Sequence, residues 1–118
     1  LTALDFAHEL PNYDVYWFEE PMPIYWFEDH RNLAAATPVK IAVGENYYTY
    51  ADFKSILDHR GASILNVDVA ICPGYDVARD IALLAKDRGL TIAPTAARNY
   101  NCRWWPAYPM VNFSNIIP

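Results

Sequence analysis

Residues 17–21 read Trp-Phe-Glu-Glu-Pro and residues 42–46 read Ala-Val-Gly-Glu-Asn, so a short apolar run twice ends in an acidic side chain. The two acids are Glu19 and, 26 positions later, Glu45. That spacing suits one strand, one helix and two loops. Because parallel strands bring their carboxyl ends to one edge of a sheet, we expect Glu19 and Glu45 to lie together. Two carboxylates that close repel each other unless a positive charge lies between them, and a hard divalent cation is the simplest candidate.

The rest of the chain repeats the same strand and helix unit. We expect an initial helix over residues 2–10, strands over 13–18, 39–43, 63–67 and 90–93, and helices over 24–36, 49–61 and 75–88. Thr49 is suited to begin its helix, and Gly61 is suited to end it. Alternating units of this kind build a parallel sheet with right-handed crossovers. After Pro94 the pattern fails, and we expect a packed irregular segment over residues 97–118.

Four such units allow two architectures. An open doubly wound sheet could stand alone, but the Gly-rich phosphate turn expected of the nucleotide binders is missing from the sequence. A barrel brings successive strand ends to one mouth, where barrel enzymes carry their chemistry. Here those ends carry Glu19, Glu45, Asp68 and the Pro94-Thr95 turn. We therefore predict an α/β fold, a partial TIM (β/α)8 barrel of about four βα units with parallel strands.

Length and composition exclude several classes of protein. The chain has 118 residues, of which 53% are hydrophobic and 19% are charged, as in one globular domain rather than a disordered chain. A net charge of -5 with scattered acids gives no basic stripe for nucleic acid. No stretch approaches the roughly 18 apolar residues that a membrane span needs. The two cysteines, Cys72 and Cys102, form no disulfide framework or zinc pattern, and no export signal is visible, so we expect a cytoplasmic protein.

Four segments resemble the C-terminal part of the catalytic barrel of the enolase superfamily, and most closely its mandelate racemase-like and sugar-acid dehydratase members. They are residues 14–21, 38–46, 66–74 and 89–95. In that family, stretches like residues 18–21 and 44–46 end barrel strands and supply the second and third carboxylate ligands of a magnesium ion. The resemblance implies that residues 1–118 form a single domain, the C-terminal portion of an enolase-type barrel and a fragment of a longer protein.

The resemblance also implies roles for individual residues. Glu19 and Glu45 would be ligands of Mg²⁺, and Glu20 would shape the charge of the site. Asp68 matches the aspartate of the histidine–aspartate dyad in mandelate racemase-like members, where it would raise the basicity of an imidazole. The position that would carry that imidazole is Thr95, and a threonine hydroxyl needs an adjacent base to react.

The chemistry implied by these roles is the removal of the proton next to a carboxylate, from a hydroxy-acid or sugar-acid. The product carries two negative charges, and a metal that contacts both carboxylate oxygens stabilises the enediolate. Reprotonation would give epimerisation, and loss of a β-hydroxyl would give dehydration. The expected partners are a small-molecule carboxylate substrate and, in the full-length protein, further copies of the same chain, with no nucleic acid and no membrane.

Each feature also has an ordinary structural interpretation. Glu19 could be a solvated strand-end carboxylate, Asp68 could bond loop amides, and Thr95 could cap a turn. With Thr95 in place of an imidazole, a second function stays open, a non-catalytic or incomplete barrel module that has lost its general base. The histidines are expected in helices away from the strand ends, at positions His8, His30 and His59.

Overall fold

A parallel sheet of four strands forms the centre of the structure, a computed structural model that describes residues 2–95. In chain order and in sheet order the strands are β1 (Trp17–Glu19), β2 (Lys40–Val43), β3 (Ile64–Leu65) and β4 (Thr91–Ile92). The helices are α1 (Ala3–Glu9), α2 (Phe27–Ala36), α3 (Tyr50–Asp58) and α4 (Tyr75–Asp87), and a 3-10 helix, Leu10–Tyr13, follows α1. Each pair of neighbouring strands is parallel and joined by one helix. The predicted α/β fold of parallel βα units is confirmed, and the sheet is compatible with part of a TIM barrel.

The strand register separates a helix-facing side of the sheet from an inner side. Glu19 pairs with Ala42, and Ala42 in turn pairs with Ile64, so these residues form one row across three strands. Alternate residues such as Ile41 and Val43 belong to the hydrophobic cluster under the helices. The helices add to that cluster Leu33, Phe53, Ile56, Leu57, Ala78, Ile81 and Ala85. Glu19 therefore lies on the side that becomes the interior when such a sheet closes into a barrel.

A capping box begins α3 and fixes its entry from the β2 loop. The Thr49 hydroxyl accepts a hydrogen bond of 3.2 Å from the Asp52 N–H, and the Asp52 carboxylate accepts one of 2.9 Å from the Thr49 N–H. These bonds satisfy two of the amide groups that a helix start leaves unpaired. The predicted helix start at Thr49 is confirmed.

Several helices and strands begin or end at other residues than predicted. β1 begins at Trp17 rather than residue 13, because Pro11 lies in the 3-10 helix and Asp14 adopts a left-handed conformation with φ of 54°. α2 begins at Phe27 rather than residue 24, since the chain from Pro23 makes a turn in which the Trp26 N–H donates to the Pro23 carbonyl at 3.0 Å. The β3 and β4 strands are also shorter than predicted.

The prediction that Gly61 ends α3 is wrong. The helix ends at Asp58, and the residue with left-handed geometry is Arg60, whose φ is 57°. Gly61 instead permits a close approach between α2 and α3. A Cβ atom at this position would lie 2.8 Å from the Cβ of His30 and 2.5 Å from the Cδ1 of Ile56.

No helix within residues 2–95 has the length and apolar character needed to cross a membrane. The segment predicted to be irregular, residues 97–118, lies outside the described residues.

Candidate metal centre

The acidic side chains predicted from the sequence stand at one edge of the sheet. Glu19 is the last residue of β1, Glu45 follows the end of β2 by two residues, and Asp68 follows the end of β3 by three. Because the three strands are parallel and adjacent, these residues all lie at the carboxyl ends of the strands. We call Glu19, Glu20, Glu45 and Asp68 the acidic rim.

Glu45 is the member of the acidic rim whose pKa is raised. Partial burial raises its pKa, and the negative charges of Glu20, Glu19 and Asp68 raise it further, in that order. The charges of the other three carboxylates of the acidic rim therefore act on Glu45. Within residues 2–95 the Glu45 carboxylate has no hydrogen-bond donor and no ion-pair partner. An anion held next to three others, with oxygen atoms as its only ligating groups, fits a hard divalent cation such as Mg²⁺.

Glu19 is held by two donors, one on each carboxylate oxygen. The Trp17 indole Nε1 donates to Oε2 at 3.0 Å, and the Asn66 Nδ2 donates to Oε1 at 2.6 Å. A carboxylate oxygen has two lone-pair directions, so each oxygen can still bind a cation. Neither donor was predicted from the sequence. The available signal for Asn66 was a lone amide within the apolar run of residues 64–67.

Glu20 braces the turn that presents Glu45. Its carboxylate accepts hydrogen bonds from the Gly44 N–H, at 3.3 Å, and from the Asn46 side-chain amide. Gly44 adopts φ of 137°, which side-chain-bearing residues rarely adopt. The charge of Glu20 also raises the pKa of Glu45 more than the charges of Glu19 and Asp68 do.

Tyr47 ties two loops of this edge together. Its side chain is fully buried, and its hydroxyl donates a 2.6 Å hydrogen bond to the carbonyl of Ile24 in the loop after β1. Burial, and after it the charge of Glu20, raises the pKa of Tyr47 above its ordinary value. The hydroxyl therefore remains a donor at any working pH.

We expect Tyr47→Phe to lower the free energy of unfolding by about 1–2 kcal/mol, because the carbonyl of the half-buried Ile24 loses its donor. Urea unfolding of the intact protein measures the loss. Tyr48→Phe is the matched control, since Tyr48 is 58% exposed and its substitution should stay within about 0.5 kcal/mol. Equal stability of the two variants would contradict the role given to Tyr47.

Asp68 and Thr95 follow β3 and β4, the two strands furthest along the sheet from Glu19. One Asp68 oxygen, Oδ1, accepts a 2.8 Å hydrogen bond from the Ala70 N–H, which is the loop contact expected of an ordinary aspartate. Its other oxygen has no partner within the described part of the chain. Thr95 is exposed, and its N–H donates to the carbonyl of Val67 at 3.3 Å, so it follows β4 beside the end of β3.

The histidines of the described residues lie in or at the ends of helices. His30 is buried in α2 with its Nδ1 bonded to the Trp26 carbonyl, and His59 caps α3 with its Nδ1 bonded to the Ser55 carbonyl. Over residues 2–95, no three acidic, histidine or cysteine side chains converge as a metal site. The rim thus offers two candidate carboxylate ligands, Glu19 and Glu45, and a complete set would need a further ligand.

A sheet of parallel βα units with carboxylates at the carboxyl ends of its strands is the architecture of barrel domains that carry out metal-assisted chemistry. The chain belongs to the enolase C-terminal domain-like family, whose model matches residues 1–110. The resemblance inferred from the sequence motifs is confirmed.

Solved structures of mandelate racemase-like proteins and sugar-acid dehydratases are similar to this chain. L-talarate/galactarate dehydratase from Salmonella typhimurium LT2 has a TM-score of 0.83 and 26% identity, over 91% of this chain and 27% of its own. L-talarate dehydratase from Polaromonas sp. JS666, in complex with Mg and L-glucarate, has a TM-score of 0.76 and 31% identity, over 79% of this chain and 26% of its own. A racemase from Streptomyces coelicolor A3(2) with bound magnesium has a TM-score of 0.77 and 26% identity, over 79% of this chain and 28% of its own. The chain spans about a quarter of the length of these structures.

Proposed function

We propose that this chain is the C-terminal part of an enolase-type barrel enzyme that removes the α-proton of a hydroxy-acid or sugar-acid with the help of Mg²⁺. The outcome would be dehydration or epimerisation of the acid. The observation that carries the proposal is the Glu45 carboxylate, which has no donor within residues 2–95 and whose pKa is raised by burial and by the charges of Glu20, Glu19 and Asp68. The magnesium-bound dehydratase and racemase among the similar structures support the same chemistry.

Glu19 and Glu45 would hold the cation, with a further ligand from outside residues 2–95. When bound, the cation would supply the positive charge that stabilises the dianion left by loss of a proton next to a carboxylate. Trp17 and Asn66 each donate a hydrogen bond to the Glu19 carboxylate, and Glu45 follows the turn at Gly44. The rim itself is anionic, so without a cation it would repel a carboxylate substrate.

Asp68 and Thr95 would act on the substrate side of the rim. Asp68 has one oxygen held by the Ala70 N–H and one available, so it can accept a proton or orient a base that does. The exposed Thr95 hydroxyl can donate a hydrogen bond to a substrate oxygen, whereas it is a poor base.

We also propose two kinds of partner, a small-molecule substrate and further copies of the same chain. A small carboxylate is the proposed substrate. Within residues 2–95, β1 and β4 are the edge strands, which the rest of a barrel would cover. We propose that residues 1–118 form one domain within that barrel and that the full-length protein is a homo-oligomer.

The test is exchange of the α-hydrogen of sugar acids with solvent deuterium, followed by NMR on the intact protein with and without Mg²⁺. We expect exchange that requires Mg²⁺ for at least one acid of a panel. Asp68→Asn should lower the exchange rate about a hundredfold or more, because proton transfer loses its acceptor or its orienting group, while Mg²⁺ affinity stays within about threefold.

Asp29→Asn is the matched control, because Asp29 lies exposed in the first turn of α2. It should leave both quantities unchanged. If no acid exchanges in the presence of bound Mg²⁺, the proposed activity is wrong. If Asp68→Asn exchanges at the wild-type rate, the role of Asp68 is wrong.

A second candidate is a barrel module that keeps the cation site and has lost its general base. The observation that favours it is that the three histidines of residues 2–95 lie in or at the ends of helices, while Thr95 stands where the family resemblance places an imidazole. Such a module would bind Mg²⁺ as proposed and exchange no α-hydrogen, so the same measurement separates the two candidates.

A further inference from the structure

Asn66 is a polar side chain built into an apolar part of the sheet. It lies between the fully buried Leu65 and Val67, and only 3% of its own surface is exposed. Its Nδ2 donates the 2.6 Å hydrogen bond to Oε1 of Glu19. Its carboxamide oxygen, Oδ1, is buried and has no hydrogen-bond partner within residues 2–95.

The bond from Asn66 to Glu19 passes over an intervening strand. Glu19 ends β1 and Asn66 follows β3, and β2 lies between these two strands in the sheet. The β2 residue in register with Glu19 is Ala42. Because the side chain of Ala42 is only a methyl group, the Asn66 carboxamide can reach the Glu19 carboxylate across β2.

The two donors on Glu19 act together. Asn66 fixes Oε1, and the Trp17 indole fixes Oε2 at 3.0 Å, so rotation of the carboxylate about its last bond is blocked from two directions. A ligand that is already oriented loses less freedom when it binds a cation, and groups that orient ligands in this way contribute strongly to metal affinity.

Packing alone does not account for an asparagine at this position. A buried acceptor without a donor opposes folding, and an apolar side chain of similar size would avoid that cost. The contact that Asn66 does make is with the carboxylate that we assign to the cation. We infer that Asn66 is a positioning residue, which holds the Glu19 carboxylate in the orientation that binds the divalent cation. This inference rests on the proposed function.

The test is calorimetric titration of the intact protein with Mg²⁺, together with its melting temperature in the absence of metal. We expect Asn66→Ala to weaken Mg²⁺ binding about tenfold to a hundredfold. The melting temperature should fall by no more than a few degrees, because the unpaired acceptor is removed together with the packing. Asn32→Ala is the control, since Asn32 is exposed on α2, and it should change neither quantity.

Several outcomes are distinguishable. A purely structural role for Asn66 would lower the melting temperature and leave the Mg²⁺ affinity of the folded variant within about threefold of wild type, which would overturn the positioning role alone. An absence of Mg²⁺ binding by the wild-type protein would overturn the proposed function and this role with it. If Asn66→Ala does not fold, Asn66→Ser provides the same comparison, because its hydroxyl is too short to reach Glu19.

Discussion

We expect Glu45→Gln to lower the affinity for Mg²⁺ at least about a hundredfold and to remove Mg²⁺-dependent exchange of the α-hydrogen. A hundredfold is the upper end for groups that only orient a metal ligand, and Glu45 is proposed as a ligand itself. Glutamine keeps the size of the side chain and removes the charge. The measurements are calorimetric titration and deuterium exchange on the intact protein.

The matched control is Glu9→Gln, at the exposed end of α1 and away from the acidic rim. It should bind Mg²⁺ as the wild type does. Wild-type affinity in Glu45→Gln would contradict the assignment of Glu45 as a ligand.

Because the pKa of Glu45 is raised, the difference between the wild-type protein and Glu45→Gln should depend on pH. A proton competes with the cation for this carboxylate, so Mg²⁺ binding should begin to weaken at a higher pH than for an ordinary glutamate. In the metal-free protein the folded chain holds this proton more tightly than the unfolded chain. The contribution of Glu45 to stability therefore falls as pH rises through the raised pKa. Metal-free Glu45→Gln should melt slightly higher than wild type at neutral pH and show no such difference well below the pKa of unfolded glutamate.

The largest loss of stability should come from Gly44→Ala, with a decrease of about 3 kcal/mol in the free energy of unfolding. A Cβ atom at Gly44 would lie 2.8 Å from the carbonyl oxygen of Asn66 and 2.9 Å from Cε1 of Phe53. The first neighbour is main chain of the adjacent strand and the second is a buried core ring, so neither can move freely. The φ of 137° adds conformational strain to these contacts.

The control for Gly44→Ala is Gly89→Ala. Gly89 also has a positive φ, of 71°, but a Cβ atom there meets no heavy atom within 4 Å. It should cost only the conformational part, about 1 kcal/mol. Urea unfolding of both variants separates strain from steric overlap, and equal losses would contradict the close approach described at Gly44.

The arrangement of the acidic rim could be predicted because it depends on chain order. Glu19 and Glu45 each end an apolar run, and the two runs are one βα unit apart. Because parallel strands have their carboxyl ends at the same edge of a sheet, both residues are expected at that edge. The start of α3 could be predicted for a similar reason, since Thr49 and Asp52 stand close in sequence and cap the helix locally.

The features that the sequence did not reveal depend on contacts between distant segments. The Asn66 bond to Glu19 joins residues 47 positions apart, and it crosses β2 at Ala42, whose side chain is only a methyl group. The role of Gly61 was also predicted wrongly. Its close approach to His30 of α2 is a contact between distant segments, which the sequence around Gly61 does not show. Thr95 could be placed after the fourth strand from the sequence, and its main-chain bond to Val67 beside the end of β3 agrees with that position.

We propose that Glu19 and Glu45 bind one divalent cation between them. A crystal structure of the intact protein soaked with Mn²⁺, an anomalous scatterer that replaces Mg²⁺ at oxygen-ligand sites, tests this proposal. We expect a single anomalous peak within bonding distance of a carboxylate oxygen of both residues. A peak bound to only one of them, or a metal bound elsewhere with both carboxylates free, would contradict it.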